Sequence, residues 1–310
     1  MILTITMNPA IDKVYAVDDY AIGQVFRPKA MTATAGGKGL NVARVAHILG
    51  EEVIATGLIG GNTGKFIEEE VIKQGIQSCF VAIPGETRIC INVMDEKNNI
   101  STEILEPGPQ VSKEDCNVFL NKYKKLLDAA DVVTASGSLP VGVCADFYNY
   151  LIQSAHKKNK KFLLDTSGKY LQEGVKEKPF LIKPNKDELQ TLVDEELKDI
   201  NDFARALIYL KNMGIELPVI SLGSHGCISI LDGGVYRFYA PSIKVLNTVG
   251  SGDAFVAGCA VALSRGMDKS EMIRMGMACG MANTQFFKTG MVSVELVNQF
   301  LKVIQVKRIL

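Results

Sequence analysis

The segment of this 310-residue chain best suited to chemistry is Gly250-Ser251-Gly252-Asp253, a carboxylate placed after a glycine-serine-glycine run. Adjacent glycines let successive backbone N–H groups point into one concavity. The apolar helix expected over 252–265 adds the partial positive charge of its N-terminus. Together they suit an anion whose charge grows during a reaction. A carboxylate there would repel that anion, unless it takes a proton from a nucleophile attacking a phosphorus held in the concavity. The competing reading is a helix cap formed by Ser251 or Asp253, and for these four residues alone the cap is favoured.

Four further groups bear on the choice. Gly36-Gly37-Lys38-Gly39, followed by Asn41, resembles a phosphate loop without the spacing of a Walker A. Its glycines permit close backbone approach, Lys38 could meet a phosphate, and Asn41 a hydroxyl; a glycine-rich turn with a solvated lysine fits equally well. Lys183-Pro184-Asn185 with Glu188 follows an apolar strand. Asn185 and Glu188 could hold a hydrated Mg²⁺, or could be a capping box. Ser221, Gly223 and Gly226 stand at another strand end and suit a nucleotide lying over the backbone, or a hairpin connection. Asp12 and Arg88 could accept from sugar hydroxyls and grip phosphate, though taken alone each reads more readily as a surface charge.

Composition narrows the classes. Lys and Arg total 34, as do Asp and Glu, so polyanion binding and a nucleic-acid partner are disfavoured. Any bound anion must be gripped locally. Seven cysteines without a C-x-x-C pair argue against disulfides and zinc, and three scattered histidines form no constellation. No apolar run reaches the ~20 residues of a membrane span, and no signal peptide is apparent. The expected location is cytoplasmic, without membrane contact.

Elements able to position these groups follow from the hydrophobic pattern. Short apolar strands at 2–6, 53–58, 132–135, 162–165, 180–183 and 219–222 alternate with helices expected at 40–49, 63–73, 114–128, 144–157, 186–193 and 201–212, with a short element at 169–173. That alternation predicts an α/β fold whose mostly parallel sheet is covered on both faces. Residues 14–35 and 87–105 have mixed polarity and could form a small sheet, with a turn at Asp95–Asn99. A hairpin is expected over 227–239, turning at 232–234, and helices at 252–265, 268–287 and 293–303.

In this order and spacing the motifs resemble the ribokinase-like (PfkB) carbohydrate kinases over nearly the whole chain, with Ser136-Gly137-Ser138-Leu139-Pro140 as a further match. The resemblance implies a single domain over 1–310, a three-layer α/β/α ribokinase-like fold with a small β-sheet lid, and transfer of the γ-phosphate of ATP to a sugar hydroxyl. Lysine within Gly-Gly-Lys-Gly, Gly85-Glu86-Thr87-Arg88, and Thr102 to Glu106 with Gly108-Pro109 are similar to tagatose-6-phosphate kinases, and fructose-1-phosphate kinases share much of this. The resemblance places Asp12, Gly37, Lys38, Asn41, Arg88 and Ser138 at the sugar phosphate, with Arg27 as a further candidate. It places Lys183, Asn185, Glu188, Ser221, Gly223, Gly226, Gly250, Gly252 and Asn283 around ATP and Mg²⁺, Glu188 acting through water. Asp253 becomes the base, with Gly250, Ser251 and Gly252 beside it. Ribokinases carry aspartate where Asn247 stands, and it helps bind a monovalent cation; asparagine leaves K⁺ open. A homodimer through the lid is the expected assembly.

Overall fold

The computed structural model describes residues 1–98 and 100–310, so Asn99 of the expected turn lies outside the described residues. The first half of the chain runs β1 (Ile2–Thr6), β2 (Ala10–Val17), β3 (Ala30–Gly36), α1 (Lys38–Ile48), β4 (Val53–Ile59), α2 (Gly61–Lys73), β5 (Gln77–Ser78), β6 (Val81–Ala82), β7 (Ile89–Asp95), β8 (Ile100–Leu105) and α3 (Lys113–Leu126). It continues with β9 (Val132–Ser136), α4 (Phe147–Lys157), β10 (Lys161–Asp165), α5 (Gly168–Gly174), β11 (Leu181–Ile182), α6 (Lys186–Val193), α7 (Ile200–Asn212) and β12 (Leu217–Ser221). The last part holds β13 (Cys227–Leu231), β14 (Gly234–Tyr239), α8 (Ser251–Ser264), α9 (Lys269–Asn283), α10 (Val294–Val303) and β15 (Gln305–Arg308).

The larger sheet has the order β15-β14-β13-β12-β11-β10-β9-β1-β4-β5, with β6 also on β4. Its strands are parallel from β5 to β12 and antiparallel from β12 to β15. One apolar cluster packs α1, α2, α8, α9 and α10 on one face, and a second packs α3 to α7 on the other. The central strands β1 and β9 are buried along their entire length, which explains why neither carries a charged residue. Because β1 pairs with β4 on one side and β9 on the other, the chain direction across the sheet reverses there. Open α/β sheets place ligands at the carboxyl ends of the strands beside such a reversal.

A second, four-stranded sheet, β3-β2-β7-β8, stands on this edge. It realises the small sheet expected from residues 14–35 and 87–105, with two differences. Strand β2 already starts at Ala10, directly after Pro9, and residues 18–29 form a connection rather than strand. The C-terminal segment also departs from the pattern. The helix expected over 268–287 ends at Asn283, whose side chain is taken up by neighbouring loops, and β15 was not foreseen in the polar stretch Gln305–Arg308. The hairpin turn is as expected, with Asp232 and Gly233 both at positive φ, as a two-residue turn between twisted strands requires.

Two close approaches fix the helices that carry the site. A Cβ on Gly39 would lie 2.6 Å from the Ile5 carbonyl oxygen, so α1 rests directly on β1. A Cβ on Gly258 would lie 2.6 Å from the Met275 carbonyl oxygen, so α8 and α9 touch backbone to backbone. Helix α8 is buried from Asp253 to Ala262.

Candidate active site

The expected groups converge at the carboxyl edge of the large sheet. Asp165 ends β10, Lys183 follows β11, and α1 and α8 begin at Lys38 and Ser251. Helix α8 is not capped by Ser251 or Asp253. Gly250 is the N-cap residue, in the left-handed region (φ 80°), and makes no side-chain cap hydrogen bond. The first amides of a helix have no acceptor within it, so they remain directed at whatever lies beyond the N-terminus. That removes the capping alternative and leaves the anion-site reading. For Asn185 and Glu188 the opposite holds. The Asn185 side chain accepts from the Glu188 N–H at 2.9 Å, and the Glu188 carboxylate accepts from the Asn185 N–H at 3.0 Å, a complete capping box on α6.

Asp253 sits buried in the first turn of α8, and its Oδ2 accepts a hydrogen bond from Asn41 Nδ2 at 2.8 Å. Burial pushes its carboxyl up to about 7, and the Asp165 carboxylate adds to the rise; Lys38, the Asn41 hydrogen bond and Lys183 oppose it. A carboxylate poised near neutrality suits a general base. Asp165 was not foreseen as part of this cluster. It is buried between two ammonium groups, Lys183 at 3.4 Å and Lys38 at 3.6 Å. Burial pushes Asp165 up, but Lys183 and Lys38 outweigh it and hold the carboxyl below its ordinary value. Lys38 in turn is raised, chiefly by Asp165. The signal was present in sequence as an aspartate closing an apolar strand just before Thr166-Ser167-Gly168. What sequence alone lacked was the strand order that brings it to both lysines.

The remaining candidates divide. Asp12 faces the root of the small sheet; burial raises it to about 6 against the pull of Arg88 and Arg44. Gly37 precedes α1 at positive φ beside Thr6. Arg88 is committed to carbonyls, donating through Nε (3.2 Å) and Nη2 (2.9 Å) to Asn8 and through Nη1 (3.1 Å) to Glu106. Arg88 and Ser138 line a cavity of about 530 Å³ together with Asn8, Glu106 and Lys169. Asp253 is not in that lining. Asn41, expected at a substrate hydroxyl, spends its amide on Asp253 and Arg44. Arg27 lies exposed on the 18–29 connection, at the end of the small sheet away from Asp12, and is not brought to the cluster.

Ser221 follows the hairpin alternative. Its N–H bonds the Pro184 carbonyl at 2.9 Å, and residues 222–226 link the antiparallel strands β12 and β13. Gly223 opens onto free space, whereas a Cβ on Gly226 would strike the Phe238 carbonyl, so Gly226 serves the packing of β14. Asn283 differs from expectation. It is fully buried, donates to the Val249 carbonyl at 2.9 Å and accepts from the Gly290 N–H at 2.9 Å. Asn283 braces the loop ahead of α8 instead of facing a nucleotide.

Metal requirements can be tested against these donors. Among the described residues no three His, Cys, Asp or Glu side chains cluster as a metal cage. A single half-buried carboxylate such as Glu188, with one oxygen already on the Asn185 N–H, fits only a divalent ion that keeps its waters and binds mainly to phosphates. The monovalent site does not fit. Asn247 Nδ2 donates to the Phe287 carbonyl at 2.8 Å, and its Oδ1 accepts from the Val249 N–H at 3.0 Å. The position that the resemblance ties to a cation-binding aspartate thus holds a neutral side chain whose amide is already hydrogen-bonded on both sides.

A buried carboxylate at a helix N-terminus, flanked by lysines at a sheet edge, is an arrangement suited to phosphoryl transfer. Comparison with known proteins agrees. Residues 2–293 match the pfkB family carbohydrate kinase. The chain is similar to a Thermotoga maritima structure described as a possible 1-phosphofructokinase, with 30% identity, TM-score 0.92 and 100% of both chains covered. It is also similar to phosphofructokinase-2 from Escherichia coli in complex with potassium (26% identity, TM-score 0.90, 97% of this chain and 98% of that one). Ribokinase from Arabidopsis thaliana, complexed with ribose and ATP, shares the fold at 20% identity, TM-score 0.78 and coverage of 97% and 98%. The chain belongs to the pfkB family of carbohydrate kinases, ATP-dependent phosphotransferases acting on sugar hydroxyls with a divalent metal. No helix among the described residues is long and apolar enough to cross a membrane.

Proposed function

We propose that the protein phosphorylates a ketohexose phosphate, tagatose 6-phosphate giving tagatose 1,6-bisphosphate. The carrying observation is the buried Asp253 carboxylate held by Asn41 at the uncapped N-terminus of α8, with Lys38 and Lys183 around it. In the reaction the acceptor oxygen bonds to the γ-phosphorus of ATP and the bond from that phosphorus to the β-bridging oxygen breaks. The hydroxyl proton passes to Asp253. The 250–252 amides and the lysines meet the charge that develops on the transferred group. Mg²⁺ would be the divalent metal, with Glu188 contacting it through water, and when bound it would neutralise phosphate charge. Lys38 takes the substrate phosphate with Arg88 and Ser138, which line the cavity beside the small sheet, and Asp12 accepts from a sugar hydroxyl.

Residues 1–310 act as one kinase unit in the cytoplasm, with the small sheet as lid. Exposed Met31, Ile100, Ile104 and Leu105 on that sheet support a homodimer through it. Fructose 1-phosphate is the second reading, favoured by the similarity to the Thermotoga maritima protein. A coupled ADP-release assay over tagatose 6-phosphate, fructose 1-phosphate, fructose 6-phosphate, the free hexoses and nucleosides tests both. Highest kcat/KM on tagatose 6-phosphate supports the first reading, and preference for an unphosphorylated acceptor overturns both.

Two expected results belong with this reading. The base must be ionised, so kcat/KM should rise with pH through an acid limb near the Asp253 value of about 7 and then level. A profile flat from pH 6 to 8.5 would remove Asp253 from that role. Replacing KCl with NaCl or tetramethylammonium chloride at constant ionic strength should leave turnover within about twofold, because Asn247 already occupies its carbonyl partner. Asn247→Asp sets a carboxylate against the Phe287 carbonyl and should make turnover and melting temperature depend on K⁺.

A further inference from the structure

Arg44 lies one helical turn beyond Asn41 on α1 and is buried. Its guanidinium donates through Nη1 to Asn41 Oδ1 at 3.0 Å and to the Thr289 carbonyl at 3.1 Å. Nη2 reaches the Ala35 carbonyl at 2.7 Å, and Nε reaches Gln74 Oε1 at 2.8 Å. These contacts pin one planar group between α1, the end of β3, the end of α2 and the loop after α9.

A guanidinium has only donors, so the part of Asn41 that meets Arg44 must be its oxygen. The amide nitrogen then has to face the other way, where it donates to Asp253 Oδ2 at 2.8 Å. Flipping the amide would set N–H against N–H on one side and oxygen against carboxylate on the other. Both faces would be repulsive inside a buried site, where unpaired polar groups are costly. An ionised Asp253 also demands the N–H, but opposite the protonated carboxyl, which can donate, Asn41 alone could adopt either orientation; Arg44 removes the choice.

We infer that Arg44 is a positioning residue for phosphoryl transfer, which fixes the orientation of the Asn41 amide and so keeps an N–H on the carboxylate of Asp253. This rests on Asp253 being the base. The charged groups around the pair are accounted for. Asp165 from β10, Lys38 from α1 and Lys183 beyond β11 face Asp253. Asp12 from β2, Glu70 from α2 and Lys288 after α9 face Arg44. None of them is among the hydrogen-bond partners of the Asn41 side chain, which are Arg44 and Asp253.

The test follows the Asp253 carboxyl directly, by ¹³C NMR of protein labelled at aspartate, with Asp253→Asn identifying the signal. This readout needs no substrate, so it stays informative even if the acceptor panel shows no turnover and the kinase reading fails. Arg44→Gln can accept as well as donate and no longer dictates the amide. It should raise the Asp253 midpoint by roughly one pH unit, the order of a lost hydrogen bond to a charged group. Arg44→Lys remains donor-only and should keep the midpoint within about 0.3 unit of wild type. Asn41→Leu should raise the midpoint in wild type yet add nothing in Arg44→Gln, because both remove the same bond.

Equal shifts for glutamine and lysine would overturn the inference. So would additive shifts in the double variant, which would reveal charge loss alone. Should Arg44→Gln not fold, Arg44→Lys and Asn41→Leu carry the test. The inference stands if lysine keeps the midpoint and leucine raises it, and falls otherwise. The acid limb of kcat/KM should move with the midpoint while KM for ATP stays constant; a purely structural loss would lower kcat at every pH without moving the limb.

Discussion

Asp253→Asn should lower kcat at least ~100-fold while leaving ATP affinity nearly unchanged, the signature of a lost general base. The amide is close to isosteric and can still accept from Asn41, so the first turn of α8 keeps its contacts. What disappears is the ability to take a proton. The same variant should melt at a higher temperature than wild type at pH 8. The folded-state pKa of Asp253 is raised above the unfolded value. Its contribution to stability is therefore fully present below the unfolded value, near 4, and is lost as pH rises through about 7. At pH 8 the wild type bears the cost of a buried charge that asparagine avoids. Near-normal turnover of Asp253→Asn, measured by coupled ADP release, would sink the assignment of the base. An unchanged or lower melting temperature would show that its burial is not costly.

Lys38→Ala should raise KM for the sugar phosphate by about 10- to 100-fold, the range of a lost charge-assisted hydrogen bond, with KM for ATP changing less than about threefold. Lys38 is also one of two cations on Asp165 and one of the groups holding Asp253 down. Its removal should therefore move the acid limb to higher pH. Kinetics taken at pH 8.5 and again at pH 7 would separate the effects, because the binding loss persists at both and the protonation loss deepens at the lower. An unchanged KM for the sugar phosphate would favour an acceptor without a phosphate.

Much of the large sheet could be read from its apolar strands, because strands covered on both faces cannot alternate in polarity. The short pairs β5 and β6 and the polar edge β15 could not, since edge positions impose little pattern. At the site, Asp253 and its glycines were legible because they are contiguous. Asp165 and Arg44 were not. One becomes part of the cluster through strand order, the other through burial of a charged residue on a helix that a periodic pattern would leave facing solvent. The two capping questions show the same limit. Asn185 with Glu188 and Ser251 with Asp253 are similar as strings, yet only the first pair caps. The difference lies in Gly250, whose left-handed backbone starts α8 without a side chain, and in Asn41 across the gap.

Helix α8 has one more consequence. It is enclosed on all sides, and its contact with α9 is backbone against backbone at Gly258. A helix seated in this way has almost no freedom to slide or tilt, because close-packed interiors resist small displacements. Its carboxylate behaves as a fixed anvil. In the proposed reaction the acceptor hydroxyl and the phosphorus would have to be carried to Asp253, and the small sheet, rooted at the same edge, would be the part of the molecule left to do the carrying.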